Sequence, residues 1–125
     1  MSSIVVDACY KIHTTLGPGL FETVYEVVLW KELQSRGLQV ERQIPVPIVW
    51  DGVAFEEGFR IDLLVNDLVI IEVKSVEKLN SVHGKQVLTY LRLMDKRLGL
   101  LVNFGEELIK TGIKRIVNGL EEESR

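Results

Sequence analysis

Three residues whose types and spacing could do chemistry, Asp62, Glu72 and Lys74, interrupt two apolar runs in the stretch from Gly58 to Ser75. The Leu, Val and Ile residues around them predict two strands of a sheet that is buried on both faces. A carboxylate in such a strand is costly unless a metal ion, a cation or hydrogen bonds compensate it. Two acids and a lysine that converge at the centre of a sheet can hold a hard divalent cation beside an activated water.

The loop between the two strands decides whether the acids share a site. A two-residue loop at Asn66-Asp67 would pair Asp62 with Ile71 and send Asp62 and Glu72 to opposite faces of the sheet. A three-residue loop from Asn66 to Leu68, or one bulge, places Asp62 opposite Glu72 instead. A shared site therefore requires an odd loop or a bulge.

The same residues also have a purely structural interpretation. Glu72 and Lys74 are two residues apart and share one face of a strand, so they could form an ordinary ion pair. Asp62 would then only cap the end of a strand. Spacing alone leaves both interpretations open.

Length, charge and composition limit the classes of function. The 125 residues suit one domain over residues 1–125, and no apolar run approaches the length of a membrane span. The net charge of −3 disfavours a strong sequence-independent grip on nucleic acid, although a local basic patch remains compatible with it. The start of the chain has an early Asp7 and no basic region, so we expect no signal peptide. A lone Cys9, expected in the core, fits the cytoplasm.

The first helix is predicted over Ile4 to Leu16, with Ser2 or Ser3 as its N-cap. It should stop at the breaker cluster Gly17-Pro18-Gly19. His13 lies off the apolar stripe with no other His or Cys at ligand spacing, which indicates a solvated or locally hydrogen-bonded histidine.

A second helix is predicted from about Phe21 to Arg36, with Gly37 just past its end. Glu22 begins a neighbouring stripe that continues through Tyr25, Glu26 and Leu29. On local grounds Glu22 is a first-turn acid that favours the helix dipole; the alternative is a third carboxylate aimed at the sheet. The predicted buried side consists of Val24, Val27, Val28, Leu29 and Leu33.

Further strands are predicted between the end of the second helix and the two strands of the Gly58–Ser75 stretch. Residues from Gln39 to Trp50 read as extended, and Pro45 and Pro47 remove two backbone donors, which indicates an edge strand or a break between strands. Asp51-Gly52 is a hairpin turn signal, so an antiparallel meander should lead to Glu72.

The C-terminal third should add a helix and two strands. Asn80 or Ser81 should cap a helix from about Val82 to Arg97, with Gly99 ending it. Its core stripe is expected to contain Val87, Leu88, Leu91 and Leu98. Residues 98–104 read as a buried strand parallel to the central one, and residues 106–109 as a turn or short helix. Residues 113–117 could add an edge strand with Lys114 and Arg115 exposed, before a solvated tail at 121–125.

The chain resembles the GxxExxY protein family, because Gly19, Glu22 and Tyr25 in GLFETVY match the pattern that names it. The blocks GFRIDLLV, VIIEVKSVEKL, HGKQVLTYLRL and LGLLVNFGEELIKTGIKRIVN are also similar to that family, so the likeness extends from about Ile4 to Asn118. The family is placed in the PD-(D/E)XK nuclease superfamily. The resemblance implies an α/β fold with a restriction-endonuclease-like α-β-β-β-α-β core, a mixed sheet flanked by helices.

The resemblance also assigns roles to residues. Asp62 corresponds to the motif aspartate, preceded here by Ile61 rather than proline, and Glu72-Val73-Lys74 corresponds to the E-x-K element. The resemblance favours the interpretation of Glu22 as an additional active-site acid supplied by the preceding helix. Gln86 and Tyr90 match the Q-x-x-x-Y feature of the helix that follows, and Tyr90 and Tyr25 are expected to support the site.

The implied activity is metal-dependent hydrolysis of phosphodiester bonds in nucleic acid, in DNA in preference to RNA. Asp62, Glu72 and the Val73 carbonyl would bind Mg²⁺ or Mn²⁺, with Glu22 reaching the ion directly or through water. Lys74 would orient the water or stabilise charge, and Gln86 would position the water or a phosphate.

Two alternatives of other classes stay open. One is a catalytically silent module that binds nucleic acid on the same fold, which the mild acidity and small size of the chain favour. The other is a protein-interaction module, in a homodimer or with an unidentified partner, whose acids form a paired core network. An intact Asp/Glu/Lys set argues against both, because a structural pair does not need all three groups on one face.

Overall fold

A five-stranded mixed sheet, seen in a computed structural model that describes residues 1–119 except the side chains of Glu56 and Glu57, organises the fold. The strands lie in the sheet in chain order. The third and fourth strands are parallel to each other, and all other neighbouring strands are antiparallel. The strands are β1 (Val40–Trp50), β2 (Val53–Val65), β3 (Val69–Lys74), β4 (Leu98–Asn103) and β5 (Ile113–Val117). The helices are α1 (Ser2–Leu16), α2 (Glu22–Ser35), α3 (Ser81–Met94) and the short α4 (Ile109–Gly112).

This arrangement confirms the predicted α-β-β-β-α-β core, in which β3 and β4 are joined by the crossover helix α3. The strand β1 is an edge strand, as its two prolines indicated, and β5 forms the other edge with Lys114 and Arg115 exposed. Asp51 and Gly52 both have positive φ, as a tight two-residue hairpin turn requires. No helix within residues 1–119 is long and apolar enough to cross a membrane.

Apolar residues pack on both faces of the sheet, as the continuous apolar runs of β3 and β4 predict. One face packs against α1 and α2, where Tyr25 stacks on Phe104 with ring centroids 4.5 Å apart; we name this the α1–α2 core. The other face packs against Val87 and Leu91 of α3; we name this the α3 core. Each fully buried Leu or Ile side chain stabilises the fold by roughly 1.5–3 kcal/mol.

The start of the chain differs from the prediction in two ways. Ser2 and Ser3 lie inside α1, whose N-cap is Met1 without a side-chain hydrogen bond. His13 is buried rather than solvated, and its Nε2 lies 2.8 Å from the carbonyl oxygen of Glu106, 93 residues away. The hydrogen bond to this distant carbonyl compensates the burial of the imidazole, and local spacing cannot reveal such a partner. Cys9 is buried as predicted, and burial raises the pKa of its thiol to about 12.

The prediction of the buried side of α2 is confirmed for Leu29 and Leu33, which are fully buried, and wrong for Val24. Val24 is exposed and Val27 and Val28 are half-buried, whereas Tyr25 and Glu26 are buried. The stripe that begins with Glu22 therefore faces the sheet. A buried glutamate is tolerated there because Arg42 and Gln43 of β1 donate hydrogen bonds to it.

The helix α3 begins where predicted and ends three residues early. Asn80 caps it through a hydrogen bond from the Val82 amide, and His83 completes a capping box. The helix stops at Met94 because Asp95 adopts a left-handed conformation with φ 55°. Gly99, predicted to end the helix, lies in β4, where a Cβ atom would come within 2.7 Å of Cγ1 of Val87. The predicted tail at 121–125 lies outside the described residues.

Candidate active site

The hairpin of β2 and β3 brings Asp62 and Glu72 together. The loop has three residues, 66–68, as a shared site requires; the pairs are Leu63↔Ile71, Leu64↔Ile70 and Val65↔Val69. If this register is continued by one more pair, Asp62 lies opposite Glu72. The Asp62 amide donates to Oε2 of Glu72 at 2.8 Å, and the Val73 amide donates to Oδ2 of Asp62 at 2.8 Å. Carboxylates thus replace carbonyls as acceptors where the regular ladder ends.

A kink in β1 accompanies Asp62. Gln43 has φ 55° and lies between two regular pairs, Arg42↔Leu63 and Ile44↔Ile61. Ile61 and Leu63 are two residues apart, yet Ile61 packs in the α3 core and Leu63 in the α1–α2 core. The two-residue alternation of β2 is therefore interrupted at Asp62, which frees its side chain to reach the Val73 amide.

The face of β3 that carries Glu72 and Lys74 is the one that faces α3. Ile71 and Val73 pack in the α1–α2 core, so the alternate side chains point the other way. Lys74 is near enough to lower the pKa values of both carboxyl groups, after the larger effects of burial. Among the salt bridges within 4.0 Å between described residues, none joins Lys74 to either acid. The ordinary Glu72–Lys74 ion pair is therefore absent.

Both carboxyl groups bind protons unusually tightly. Burial, opposed by the Val73 amide and reinforced by the charge of Glu26, raises the pKa of Asp62 to about 6. Burial and the charge of Asp62 raise the pKa of Glu72 to about 8. The Glu72 side chain is only 6% exposed. Two neighbouring carboxylates cannot both ionise cheaply without a cation, and this is the electrostatic condition that a divalent ion relieves.

The donor set fits a divalent cation at two carboxylates. Oε2 of Glu72 accepts the Asp62 amide, and no described residue donates to Oε1. Every fully buried side-chain nitrogen or oxygen of the described residues has a partner, so Oε1 reaches solvent and has capacity for a ligand. No group of three His, Cys, Asp or Glu side chains suited to one ion occurs in residues 1–119, the side chains of Glu56 and Glu57 aside. Carbonyl oxygens and water must therefore complete any coordination shell.

Glu22 lies at the end of β3, against the residue that follows Lys74. Its Oε2 is 3.4 Å from the Ser75 amide nitrogen, and Ser75 Oγ donates to the Leu20 carbonyl at 2.6 Å. Glu22 therefore approaches the site from the rim and does not form a three-acid cluster with Asp62 and Glu72. A role for Glu22 through water remains a prediction.

The two residues expected on α3, Tyr90 and Gln86, differ in their burial and in their interaction with the acids. Tyr90 is buried, and burial together with the charges of Glu72 and Asp62 raises the pKa of its phenol, which indicates that the hydroxyl is near both acids. Gln86 is half-buried one turn earlier, and within the described part of the chain it forms no hydrogen bond with either acid. Its contact with water or phosphate remains a prediction.

Tyr25 supports the loop that precedes Glu22. Its hydroxyl accepts the Leu20 amide at 3.1 Å and donates to the Gly17 carbonyl at 2.5 Å. The ring is fully buried against Phe104. The tyrosine of the GLFETVY block thus fixes the loop from Gly17 to Leu20 rather than touching the carboxylates.

Sequence reasoning missed two residues beside Asp62. Gln43 donates to both carboxylate oxygens of Glu26, at 2.9 and 3.0 Å, and to Oδ1 of Asp62 at 3.4 Å. Glu26 is buried and also accepts from Arg42 at 3.0 Å. The signal for Glu26 was its position four residues after Glu22 on the same stripe; Gln43 carried no signal in its spacing.

Asn103, at the end of β4, was also missed. It is fully buried, and its amide group bonds the backbone of Val76 in both directions, at 3.0 and 2.9 Å. The Phe104 amide also donates to the Lys74 carbonyl at 2.8 Å. Together these bonds tie the segment after Lys74 to the neighbouring strand and hold the lysine backbone in place.

Comparison with known proteins agrees with this geometry. A family model described as the PD-(D/E)XK nuclease superfamily matches residues 1–116. Comparisons with curated proteins and with solved structures found no match. The matched range contains all five strands up to Ile116 and the whole Asp62, Glu72 and Lys74 set. The chain therefore belongs to the PD-(D/E)XK nuclease superfamily.

Proposed function

We propose that this protein is a nuclease that uses Mg²⁺ or Mn²⁺ to hydrolyse phosphodiester bonds, in DNA in preference to RNA. The observation that carries the proposal is the reciprocal placement of the half-buried Asp62 and the buried Glu72, which no salt bridge between described residues neutralises. A paired core network would neutralise them. Neighbouring carboxylates with raised pKa values lower stability, and a bound cation offsets this cost.

Asp62, Glu72 and the Val73 carbonyl would hold the ion, and Glu22 would reach it through water. When bound, a divalent cation supplies the charge that polarises a phosphate and lowers the pKa of an attacking water. The Val73 amide holds Asp62 and the Asp62 amide holds Glu72, so both carboxylates are oriented before any ligand arrives.

Lys74 supplies positive charge on the same face as Glu72. Since no salt bridge to either acid occupies its ammonium, it is available to a phosphate oxygen or an attacking water. Tyr90, on α3, would help to order the site. Gln86 would position the phosphate.

A cleavage assay tests the proposal. End-labelled single-stranded and double-stranded DNA and RNA are incubated with the protein in Mg²⁺, Mn²⁺ or EDTA. We expect metal-dependent cleavage that Asp62→Asn lowers at least ~100-fold and that Glu41→Gln, an exposed acid on β1, leaves unchanged. Equal cleavage by the wild type and Asp62→Asn would assign the activity to a contaminant and contradict the proposal.

The second candidate is a silent binding module on the same fold. The observation that favours it is that, in the described part of the chain, no third acidic side chain completes a metal cluster. This candidate predicts that the wild type binds oligonucleotides and leaves every one of them intact in both metals. The same assay therefore separates the two functions.

A further inference from the structure

Beside the candidate active site lies a cavity of about 780 Å³, which falls in the range of roughly 300–1,000 Å³ typical of ligand sites. It begins at Ser75, directly after Lys74, and Glu22 stands at the boundary between the cavity and the site. An occupant of this cavity would therefore lie at the end of β3, one residue beyond Lys74.

Phe21 lines the cavity and is 84% exposed, the most exposed of the large apolar side chains in the described residues. Its neighbour Leu20 is 40% exposed and lines the same cavity. A lone exposed apolar side chain on a surface is common, but an aromatic ring at the mouth of a cavity beside a nuclease site offers a stacking face.

The loop that carries Phe21 is fixed before any ligand binds. The Tyr25 hydroxyl bonds the Leu20 amide and the Gly17 carbonyl, and Ser75 Oγ bonds the Leu20 carbonyl. A loop backbone that is already held loses less ordering entropy on binding than a mobile one.

The charges that line the cavity select the part of a nucleotide that can enter. Glu22 and Glu77 line it, and no Lys or Arg is among its described lining residues. Carboxylates repel phosphate but accept hydrogen bonds from the exocyclic amino groups of bases. The cavity therefore suits a nucleobase, with its phosphate outside, toward Lys74.

We propose that Phe21 and this cavity form a stacking site for one unpaired nucleobase, so that the substrate is single-stranded nucleic acid or a frayed end. This rests on the proposed function, since it takes the phosphate beside that base to lie at Asp62 and Glu72. A base inside a duplex is stacked on its neighbours and paired, so it could enter only after flipping out at a cost of a few kcal/mol.

The test measures binding without hydrolysis. Single-stranded oligonucleotides with 2-aminopurine at one position, and the matching duplexes, are titrated with the full chain in EDTA. We expect fluorescence quenching by the wild type with the single strand. Phe21→Ala should lose the quenching and bind the single strand roughly tenfold or more weakly, with unchanged affinity for duplex.

Two matched variants complete the experiment. Phe21→Trp keeps a stacking face and should restore quenching and affinity. Phe55→Ala removes an aromatic ring that is 43% exposed on β2 and does not line the cavity, and it should behave as the wild type. Unchanged single-strand affinity in Phe21→Ala would overturn the proposal, as would equal weakening for single strand and duplex. A change in sedimentation of Phe21→Ala without a change in quenching would assign the surface to protein contact and also overturn it.

The experiment distinguishes failure of the stacking site from failure of the proposed function. Cleavage by the wild type together with Phe21-independent binding removes only the stacking site. Phe21-dependent quenching by a protein that cleaves nothing in Mg²⁺ or Mn²⁺ removes only the nuclease.

Discussion

The amide of Asp62 donates to the carboxylate of Glu72 at 2.8 Å, so the backbone of one acid holds the side chain of the other. The carboxylate of Asp62 is held in turn by the Val73 amide. Both acids are oriented by backbone amides and not by a salt bridge to Lys74. Replacing either acid by its amide should therefore lower activity strongly and change stability at pH 7 little.

Glu72→Gln should nearly abolish metal-dependent cleavage while changing the metal-free free energy of unfolding at pH 7 by only about 1 kcal/mol, with a gain in stability at higher pH. The glutamine oxygen still accepts the Asp62 amide, and the buried charge that costs free energy is gone. Thermal melts in EDTA check this. A paired core network predicts instead a loss of roughly 3–5 kcal/mol, because a partner charge would be left buried.

Stability without metal should fall as pH rises. The pKa values of Asp62 and Glu72 are raised from ordinary values of 3.8 and 4.5 to about 6 and about 8. The folded protein therefore binds more protons than the unfolded chain between about pH 4 and 8, and the stability that this supplies is lost as pH rises through the folded pKa values. We expect a loss of roughly 3–5 kcal/mol between pH 5 and 8.5. Denaturant titrations in EDTA measure it.

The control for this pH dependence is Glu72→Gln, in which the slope should be much smaller. Glu107→Gln, which changes an exposed acid, should keep the slope of the wild type. Equal slopes in all three proteins would mean that the central carboxyl groups are not the ones that bind the extra protons.

Lys74→Ala should lower cleavage by about 100-fold and leave metal binding intact, because the lysine acts on phosphate or water and is not a ligand. Single-turnover cleavage and calorimetric metal titration of the same preparation check both parts. Lys78→Ala, an exposed lysine four residues later, is the control. Loss of metal binding in Lys74→Ala would place the lysine in the structural support of the acids.

Tyr25→Phe should lower the free energy of unfolding by about 1–3 kcal/mol, since it leaves the Gly17 carbonyl and the Leu20 amide without their partner. Chemical denaturation measures the change. Tyr10→Phe, at a tyrosine that is 40% exposed, should have no effect beyond error. Equal stability of the two variants would show that the hydroxyl of Tyr25 does not fix the loop.

The sequence allowed the central relationship to be predicted because strand geometry is periodic. The requirement for an odd loop placed Asp62 opposite Glu72, and the structure confirms a three-residue loop. The two proline residues of β1 likewise indicated an edge strand, because proline has no backbone donor for a second neighbour. The Asp51-Gly52 pair located the hairpin, because a tight turn requires residues that adopt positive φ.

Other features depend on tertiary partners that spacing cannot show. Glu26 is buried because β1, distant in sequence, supplies Arg42 and a kinked Gln43. His13 is buried because a carbonyl 93 residues away contacts it. Local amphipathicity placed Leu29 and Leu33 correctly on the buried side of α2. It also placed Val24 there, which is exposed, because valine is more apolar than Glu26, which is buried.

Calorimetric titration of Mn²⁺ into metal-free protein tests the central claim, a metal site at Asp62 and Glu72, most directly. Both carboxyl groups must lose their protons to bind an ion, so affinity should rise between pH 6 and 8 and the heat should change with the ionisation enthalpy of the buffer. We predict saturable binding by the wild type and by Glu41→Gln, and none by Glu72→Gln. Absence of saturable binding in the wild type at millimolar Mn²⁺, or equal binding by Glu72→Gln, would contradict the account.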